Sequence, residues 1–255
     1  MTRSSIDLNA DVGEGFASDA ELIPLVSSVN IACGGHAGDD ATMRATIALA
    51  MRHGVAIGAH PGFEDRANFG RKEIPIAPAD AATLVTAQTR LLMALARELG
   101  ARVGHIKLHG ALYNMAASDG ALAGAIAEAA AKMAAIEGGP SVLYALAGGE
   151  LVGAGRRASL RVIGEAFADR TYRPDGSLTP RSEPGAMVAD SGAAAAQALD
   201  IARLGTVRAG DGSMVILDAG TLCVHGDSPD AVAAAKKIRD TLTQNGIVVG
   251  AAYSI

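Results

Sequence analysis

The sequence predicts an α/β fold built as a closed or nearly closed barrel of about seven mainly parallel strands, with an open doubly wound sheet as the second choice. Short apolar runs rich in β-branched residues alternate with long amphipathic stretches along the whole chain, which implies right-handed crossovers and parallel pairing. No linker or composition break divides residues 1–255, so a single barrel domain is expected. Polar residues recur where the apolar runs end, the place where barrel enzymes build their sites.

The first strand is predicted over 6–11, where the two-residue period puts Asp7, Asn9 and Asp11 on one face and Ile6, Leu8 and Ala10 on the other. Further strands are predicted at 29–33, 55–60, 106–109, 142–146, 162–167 and 222–225. Helices are predicted at 40–52, 79–99, 120–133, 193–204 and 230–244, each closing near Gly or Asn. Asp39, Ser118 and Ser228 are the expected N-caps, the last followed by Pro229 at the first helical position. Residues 214–218 look like an extra short strand pairing with the segment after it, with Asp218-Ala219-Gly220 as the turn.

Composition narrows the function. With 49% hydrophobic residues but only 3% aromatic and no Trp, the core must be packed by Ala, Val, Ile, Leu and Gly, and stacking on single-stranded nucleic acid is disfavoured. A net charge of -5 supplies no basic field for nucleic acid or an anionic membrane. Cys33 and Cys223 lie far apart without CxxC spacing, so reduced thiols fit best. No apolar leader segment and no apolar run of ~20 residues is present, and a cytoplasmic protein is expected.

Two carboxylates on the inner face of the first strand need a partner, because buried charge is costly unless paired; Lys107, on the same strand face as His109, is the natural one. An interior Asp7–Lys107 pair that merely organises the barrel is the bland alternative for those two residues. His36 lies in a glycine-rich turn before a helix, and His60 and His109 end strands at turns that expose the imidazole. His53 and His105 are expected to have no function, the first at a helix end and the second on the opposite rim. Asp11, His36, His60 and His109 have the ligand types of a divalent metal site, though no HExxH or HxxxH spacing supports one. Glu14 could serve as acid or base. The long irregular segment 168–185 is lid-like and carries Arg170, Arg173 and Arg181, suited to a carboxylate or phosphate. No GxxxxGK[ST] and no GxGxxG after a strand is present, so no nucleotide-binding domain is visible.

Taken together, Asp7-Leu8-Asn9-Ala10-Asp11 with Gly13-Glu14, Asn30 to Cys33 with His36-Ala37-Gly38-Asp39, His109-Gly110-Ala111-Leu112-Tyr113-Asn114, Phe167-Ala168-Asp169-Arg170 and Cys223-Val224-His225-Gly226-Asp227 resemble the LamB/YcsF family. The motifs run in the family's order over nearly the whole chain. Leu108 departs from the pattern, which has proline before His109, and Gly62-Phe63 and Asn68 depart after His60. The resemblance implies a distorted (β/α) barrel similar to polysaccharide deacetylases. It also implies ATP-dependent opening of the lactam 5-oxoproline to L-glutamate with two partner subunits, B and C, of a 5-oxoprolinase, which would bind the ATP. On that reading Asp11 or Glu14 activates water, His60 or His109 protonates the departing nitrogen and Lys107 steadies negative charge. Arg170 holds a carboxylate or phosphate, while Asp7, Asn9, Asn30, His36, Glu165, Asp169, His225 and Asp227 complete the pocket. Metal-dependent deacetylation and a lactam-binding subunit without chemistry are the alternatives.

Overall fold

The computed structural model describes residues 4–226 and 230–254. In β1 (Ser5–Val12) the alternation acts as expected: Ile6, Leu8, Ala10 and Val12 lie in the apolar core beneath the helices, while Asp7, Asn9 and Asp11 bond to residues on other strands inside the barrel. The chain continues through α1 (Asp19–Leu22), β2 (Ser28–Ala32), α2 (Asp40–His53), β3 (Ala56–His60), α3 (Pro78–Glu98) and β4 (His105–Lys107). Then come α4 (Gly110–Ser118), α5 (Gly120–Glu137), β5 (Val142–Leu146), α6 (Glu150–Arg157) and β6 (Arg161–Phe167). The last part holds α7 (Ser191–Leu204), β7 (Thr206–Arg208), β8 (Met214–Ile216), β9 (Thr221–Val224), α8 (Ala231–Gln244) and β10 (Val248–Val249).

Seven strands, β1 to β6 and β9, close into a barrel in which every pair is parallel; β9 joins β6 on one side and β1 on the other. β10 flanks only the start of β1, at Ser5 and Ile6, before β9 takes over at Asp7. The helices pack through small side chains, as the shortage of aromatics requires: α5 buries Ala123, Ala127 and Ala130, α7 buries Ala194, Ala195, Ala198 and Ala202, and α8 buries Ala231 and Ala235. Asp39 caps α2 by accepting the Thr42 amide at 2.8 Å, and Gly54 in the left-handed region ends that helix.

Two local expectations are corrected. Ser118 is the last residue of α4, and the carboxylate that caps α5 is that of Asp119, which accepts from the amides of Ala121 and Leu122. The strand near 214–218 pairs backwards, antiparallel to β7, rather than with the segment after it. Asp211 makes that hairpin by accepting both the amide and the hydroxyl of Ser213, with Gly212 at positive φ. The caps expected at Ser228 and Pro229 lie outside the described residues.

Gly164 on β6 has no room for a side chain, since a Cβ there would sit 2.1 Å from the Asp218 carbonyl oxygen, which is backbone and cannot swing away. Gly164→Ala therefore lowers stability by about 1–3 kcal/mol or more. Gly124→Ala, in open space within α5, raises it by about 0.5–1 kcal/mol. Urea unfolding of the two variants checks the contrast.

Candidate active site

The site forms at the C-terminal ends of the barrel strands because the chain turns sharply just beyond them. After β1 the backbone turns at Gly13, whose amide donates to Asp19 Oδ2 at 2.8 Å, and this turn aims Glu14 back over the barrel. After β2, Gly34 and Gly38 adopt positive φ around a Gly34 N–H to Ala37 carbonyl bond of 2.9 Å, which tucks His36 inward. A Cβ on Gly38 would sit 2.9 Å from the Ala32 carbonyl oxygen. His60 ends β3 and Lys107 ends β4, while His109 immediately precedes α4, its amide donating to the Pro61 carbonyl. β6 supplies Glu165, β9 supplies Cys223, and His225 follows directly.

Lys107 is fully enclosed, its Nζ 2.9 Å from Asp11 Oδ1 and 2.9 Å from Glu165 Oε1, with Cys223 Sγ at 3.0 Å and Asn9 Oδ1 at 3.3 Å. Burial alone would strip its proton, but Asp11, Cys223 and Glu165 hold its pKa well above the ordinary lysine value. Burial likewise opposes the Asp11 charge, and His60 and Lys107 overcome it, holding Asp11 well below the usual carboxylate range. The ion pair thus joins Lys107 to Asp11, not to Asp7. Asp7 lies toward the opposite end of β1 and accepts hydroxyls from Ser27, Ser28, Thr221 and Tyr144. Burial pushes its pKa up.

The imidazoles form a tight group. His60 Nδ1–H donates to the Lys107 carbonyl at 2.9 Å, and His109 Nε2–H donates to the Phe69 carbonyl at 2.9 Å. Their remaining nitrogens, His60 Nε2 and His109 Nδ1, then face each other at 2.9 Å. Asp11 Oδ2 lies 3.3 Å from the first and Glu14 Oε1 3.3 Å from the second, with His36 Nε2 3.0 Å from the same Glu14 oxygen. His36 stacks parallel on His109 at 3.5 Å, and its Nδ1 is buried without a hydrogen-bond partner among the described residues.

Two lone pairs and two carboxylate oxygens that converge in this way need a cation between them, either a proton or a metal ion. The ring nitrogens tied to carbonyls are the outer-shell arrangement of metal-bound histidines. Zinc-type ligands at about 2.0–2.1 Å stand roughly 3.3 Å apart around their ion, close to the 2.9–3.7 Å separations of Glu14, His60 and His109 here. Those three, with His36 beside them, fit a divalent ion. The other grouping, Asp11, Cys223 and His225, fits one poorly, because burial pushes the Cys223 thiol well up and Lys107 already donates to its sulfur.

Above this group opens a cavity of about 830 Å³. Asp11, Glu14, His60, Lys107, His109 and His225 line it, Tyr113, Leu146, Phe167 and Leu178 form apolar wall, and Arg71, Arg170, Arg173 and Arg181 bring four guanidinium-bearing residues to it. His225 Nδ1 bonds Asp169 Oδ2 at 2.7 Å. Arg170 is less available than expected: its guanidinium donates to the carbonyls of Thr179 and Ala186, which ties down the lid-like segment. Arg173 pairs with Glu183 at 2.6 Å.

The structure thus brings Asp11, Glu14, His36, His60, Lys107 and His109 together. Asn9, Asn30 and Glu165 lie beneath them as hydrogen-bonding support, His225 and Asp169 sit to one side, and Asp7 is not at the site. Asp227 lies outside the described residues. Sequence reasoning misses Tyr113, which donates to Glu165 Oε2 at 2.7 Å; its place one helical turn after His109 is the available signal. His105, expected on the far rim, is wholly buried inside the barrel.

A family model described as the LamB/YcsF family matches residues 6–255. The A subunit of 5-oxoprolinase from Bordetella parapertussis is 50% identical over 253 residues, covering 97% of this chain and 99% of that one. The crystal structure of the lactam utilization protein from Thermus thermophilus superposes with a TM-score of 0.87 at 42% identity, covering 97% of this chain and 99% of that one. A polysaccharide deacetylase from Bacillus cereus shares the fold, with a TM-score of 0.53 at 14% identity over 99% of this chain and 93% of its own.

Removing the lysine isolates two buried carboxylates. Lys107→Met costs about 3–5 kcal/mol at neutral pH. Asp11 has a depressed folded-state pKa, so its stabilisation is present above the unfolded value near 3.8 and is lost as pH falls through the folded value. The gap between wild type and Lys107→Met therefore narrows in acid, which denaturant titrations at neutral and acidic pH measure.

Proposed function

The chain belongs to the LamB/YcsF family, and from that premise we propose that it is the ring-opening component of an ATP-dependent 5-oxoprolinase. The observation that carries the reading is the ionised Asp11–Lys107 pair beside an acid–imidazole cluster on the floor of a cavity sized for a small molecule. The chain's likeness to relatives named for 5-oxoproline and for lactam utilization supports the substrate class. On this reading the protein works in the cytoplasm.

An unactivated lactam is a poor electrophile. We assign its activation to two partner subunits, B and C, which bind ATP and transfer a phosphoryl group to the lactam oxygen; the present sequence has no phosphate-binding loop of its own. Water then adds to the activated carbon, and the ring nitrogen leaves with the electrons of the C–N bond and takes up a proton. The resulting acyl phosphate reacts with a second water to release glutamate and phosphate.

In this chain Asp11 takes the water proton through Oδ2, because Oδ1 is occupied by Lys107 and Asn30. His225 gives the proton to the leaving nitrogen: its Nδ1 is held by Asp169, which turns the rest of the ring to the cavity it lines. His60 and His109 are unsuited to that step, since each has one nitrogen tied to a carbonyl and the other turned into the cluster. The ammonium of Lys107 beneath the cavity opposes the build-up of negative charge on the reacting carbon's oxygens. Glu14, His60 and His109 would hold a divalent ion, which would lower the pKa of attacking water.

Glutamate release from 5-oxoproline and ATP is expected only when this chain is mixed with its partner subunits. Asp11→Asn and His225→Gln each lower release by about 10²–10⁴-fold while the partners' ATP turnover persists. No release from an ATP-hydrolysing mixture with the wild-type chain would overturn the reading. Elemental analysis of the gently purified chain is expected to find about one divalent ion per chain, lost in His60→Ala and His109→Ala.

A further inference from the structure

The polar side chains that link Asn9, Asn30, His105 and Tyr253 to Asp11 each have a fixed direction, and the direction starts from a residue near the end of the chain. Asn9 Nδ2 donates to Glu165 Oε1 at 2.9 Å and to Thr221 Oγ1 at 2.7 Å, so Asn9 Oδ1 must be an acceptor. Asn30 Nδ2 spends its two hydrogens on that oxygen at 2.7 Å and on Asp11 Oδ1 at 2.8 Å. Asn30 Oδ1 then faces His105 Nε2 at 2.7 Å as an acceptor, which makes Nε2 the protonated nitrogen of His105. Burial holds that imidazole neutral, so Nδ1 accepts, and the donor is the Tyr253 hydroxyl at 2.6 Å. The Ile57 carbonyl, 3.5 Å from the same hydroxyl, is too distant to compete.

Two glycines make room for the rings. A Cβ on Gly58 would lie 2.0 Å from His105 Nε2, and one on Gly104 would lie 2.5 Å from the Tyr253 ring. Tyr144 stacks on the other side of His105, with centroids 4.1 Å apart, and locks its plane.

We infer that Tyr253, His105 and Asn30 are positioning residues for the reaction, forming a one-way hydrogen-bond relay that fills Asp11 Oδ1 and leaves Oδ2 to face His60 and the cavity. The inference rests on Asp11 being the working carboxylate of the proposed lactam hydrolysis. Nothing in the sequence around His105 marks this role, which comes entirely from the buried geometry. Without the Nε2–H, Asn30 Oδ1 is a buried acceptor without a donor, and the amide that donates to Asp11 Oδ1 is no longer held from its other side.

The test uses the chain assembled with its partner subunits and follows kcat and KM for 5-oxoproline. His105→Leu is expected to lower kcat about 10–100-fold with KM changed less than about twofold, the usual size of an outer-shell effect. His105→Gln, whose amide can again donate to Asn30, recovers most of that loss. Tyr253→Phe, which keeps the ring and the fold, lowers kcat more mildly. Imidazole nitrogen NMR of the isolated chain adds a readout independent of turnover: His105 is expected as the neutral Nε2–H tautomer, kept in Tyr253→Phe with the Nδ1 signal shifted by loss of its donor. Wild-type kcat in a folded His105→Leu chain, a glutamine variant as impaired as the leucine one, or an Nδ1–H tautomer in the wild type would each overturn the relay. If the wild-type mixture releases no glutamate, the proposed function fails while the tautomer still decides the relay.

Discussion

The ammonium of Lys107 inside the barrel is the constraint on which the rest of the interior depends. A charge with almost no contact with water must be matched by opposite charge and by acceptors in hydrogen-bond reach. Asp11 and Glu165 supply the charge, and Asn9 and Cys223 the remaining contacts. Those partners make demands of their own: Glu165 takes hydrogens from Asn9 and Tyr113, and Asp11 takes one from Asn30. The demand spreads from strand to strand until the barrel interior, which in most such folds is layered Val, Ile and Leu, has become a connected polar network. Apolar packing is correspondingly moved outward, to the space between strands and helices.

That division explains what was legible in the sequence. The alternation in β1 marks which side chains face inward, because the two-residue period is local, and the same holds for the seven strands and for the Asp39 cap. Depth along the barrel was not legible. Asp7 and Asp11 share a face of β1, yet they are four residues apart along it, and one lies among hydroxyls near the floor while the other reaches the cavity. His105 and Lys107 differ in the same way on β4. Which strand positions fall at one level depends on register between strands, as in the pairing of Ala32 with His60, and register leaves no trace in a single strand's pattern.

The histidine cluster is partly visible for a related reason. Its members come from the ends of different strands or from the turns just after them, so no fixed spacing such as HExxH can announce it. In sequence Glu14 is only a loop carboxylate, and the turn at Gly13 and Asp19 is what brings it to His36 and His109. Arg170 misleads in the other direction: a guanidinium in a long loop looks available, but here the loop's own carbonyls satisfy it. The ends of the segment between β6 and β9 are built by such internal bonds, including the Phe167 amide donating to the Tyr172 hydroxyl and the Gln197 amide donating to carbonyls of Phe167, Ala168 and Arg170.

Cation chemistry at the cluster and charge at Lys107 are separate requirements, and their separation shapes the site. If His60 and Lys107 competed for a single carboxylate oxygen, neither would be held firmly. Asp11 instead divides its oxygens, Oδ1 downward to Lys107 and Asn30 and Oδ2 toward His60, so each oxygen meets a defined environment. Glu14 meets both outer histidines, His36 and His109, through the one oxygen Oε1. On the proposed role of Asp11, a carboxylate whose two oxygens are distinguished before any substrate arrives has little left to reorganise when a proton must move, and preorganisation of that kind is where protein catalysts gain over water. The polar interior therefore does what an apolar one could not. It carries the orientation of Asp11 through hydrogen bonds whose directions are all determined, and the cost of burying so many polar groups is met because nearly every one of them, among the described residues, has a partner.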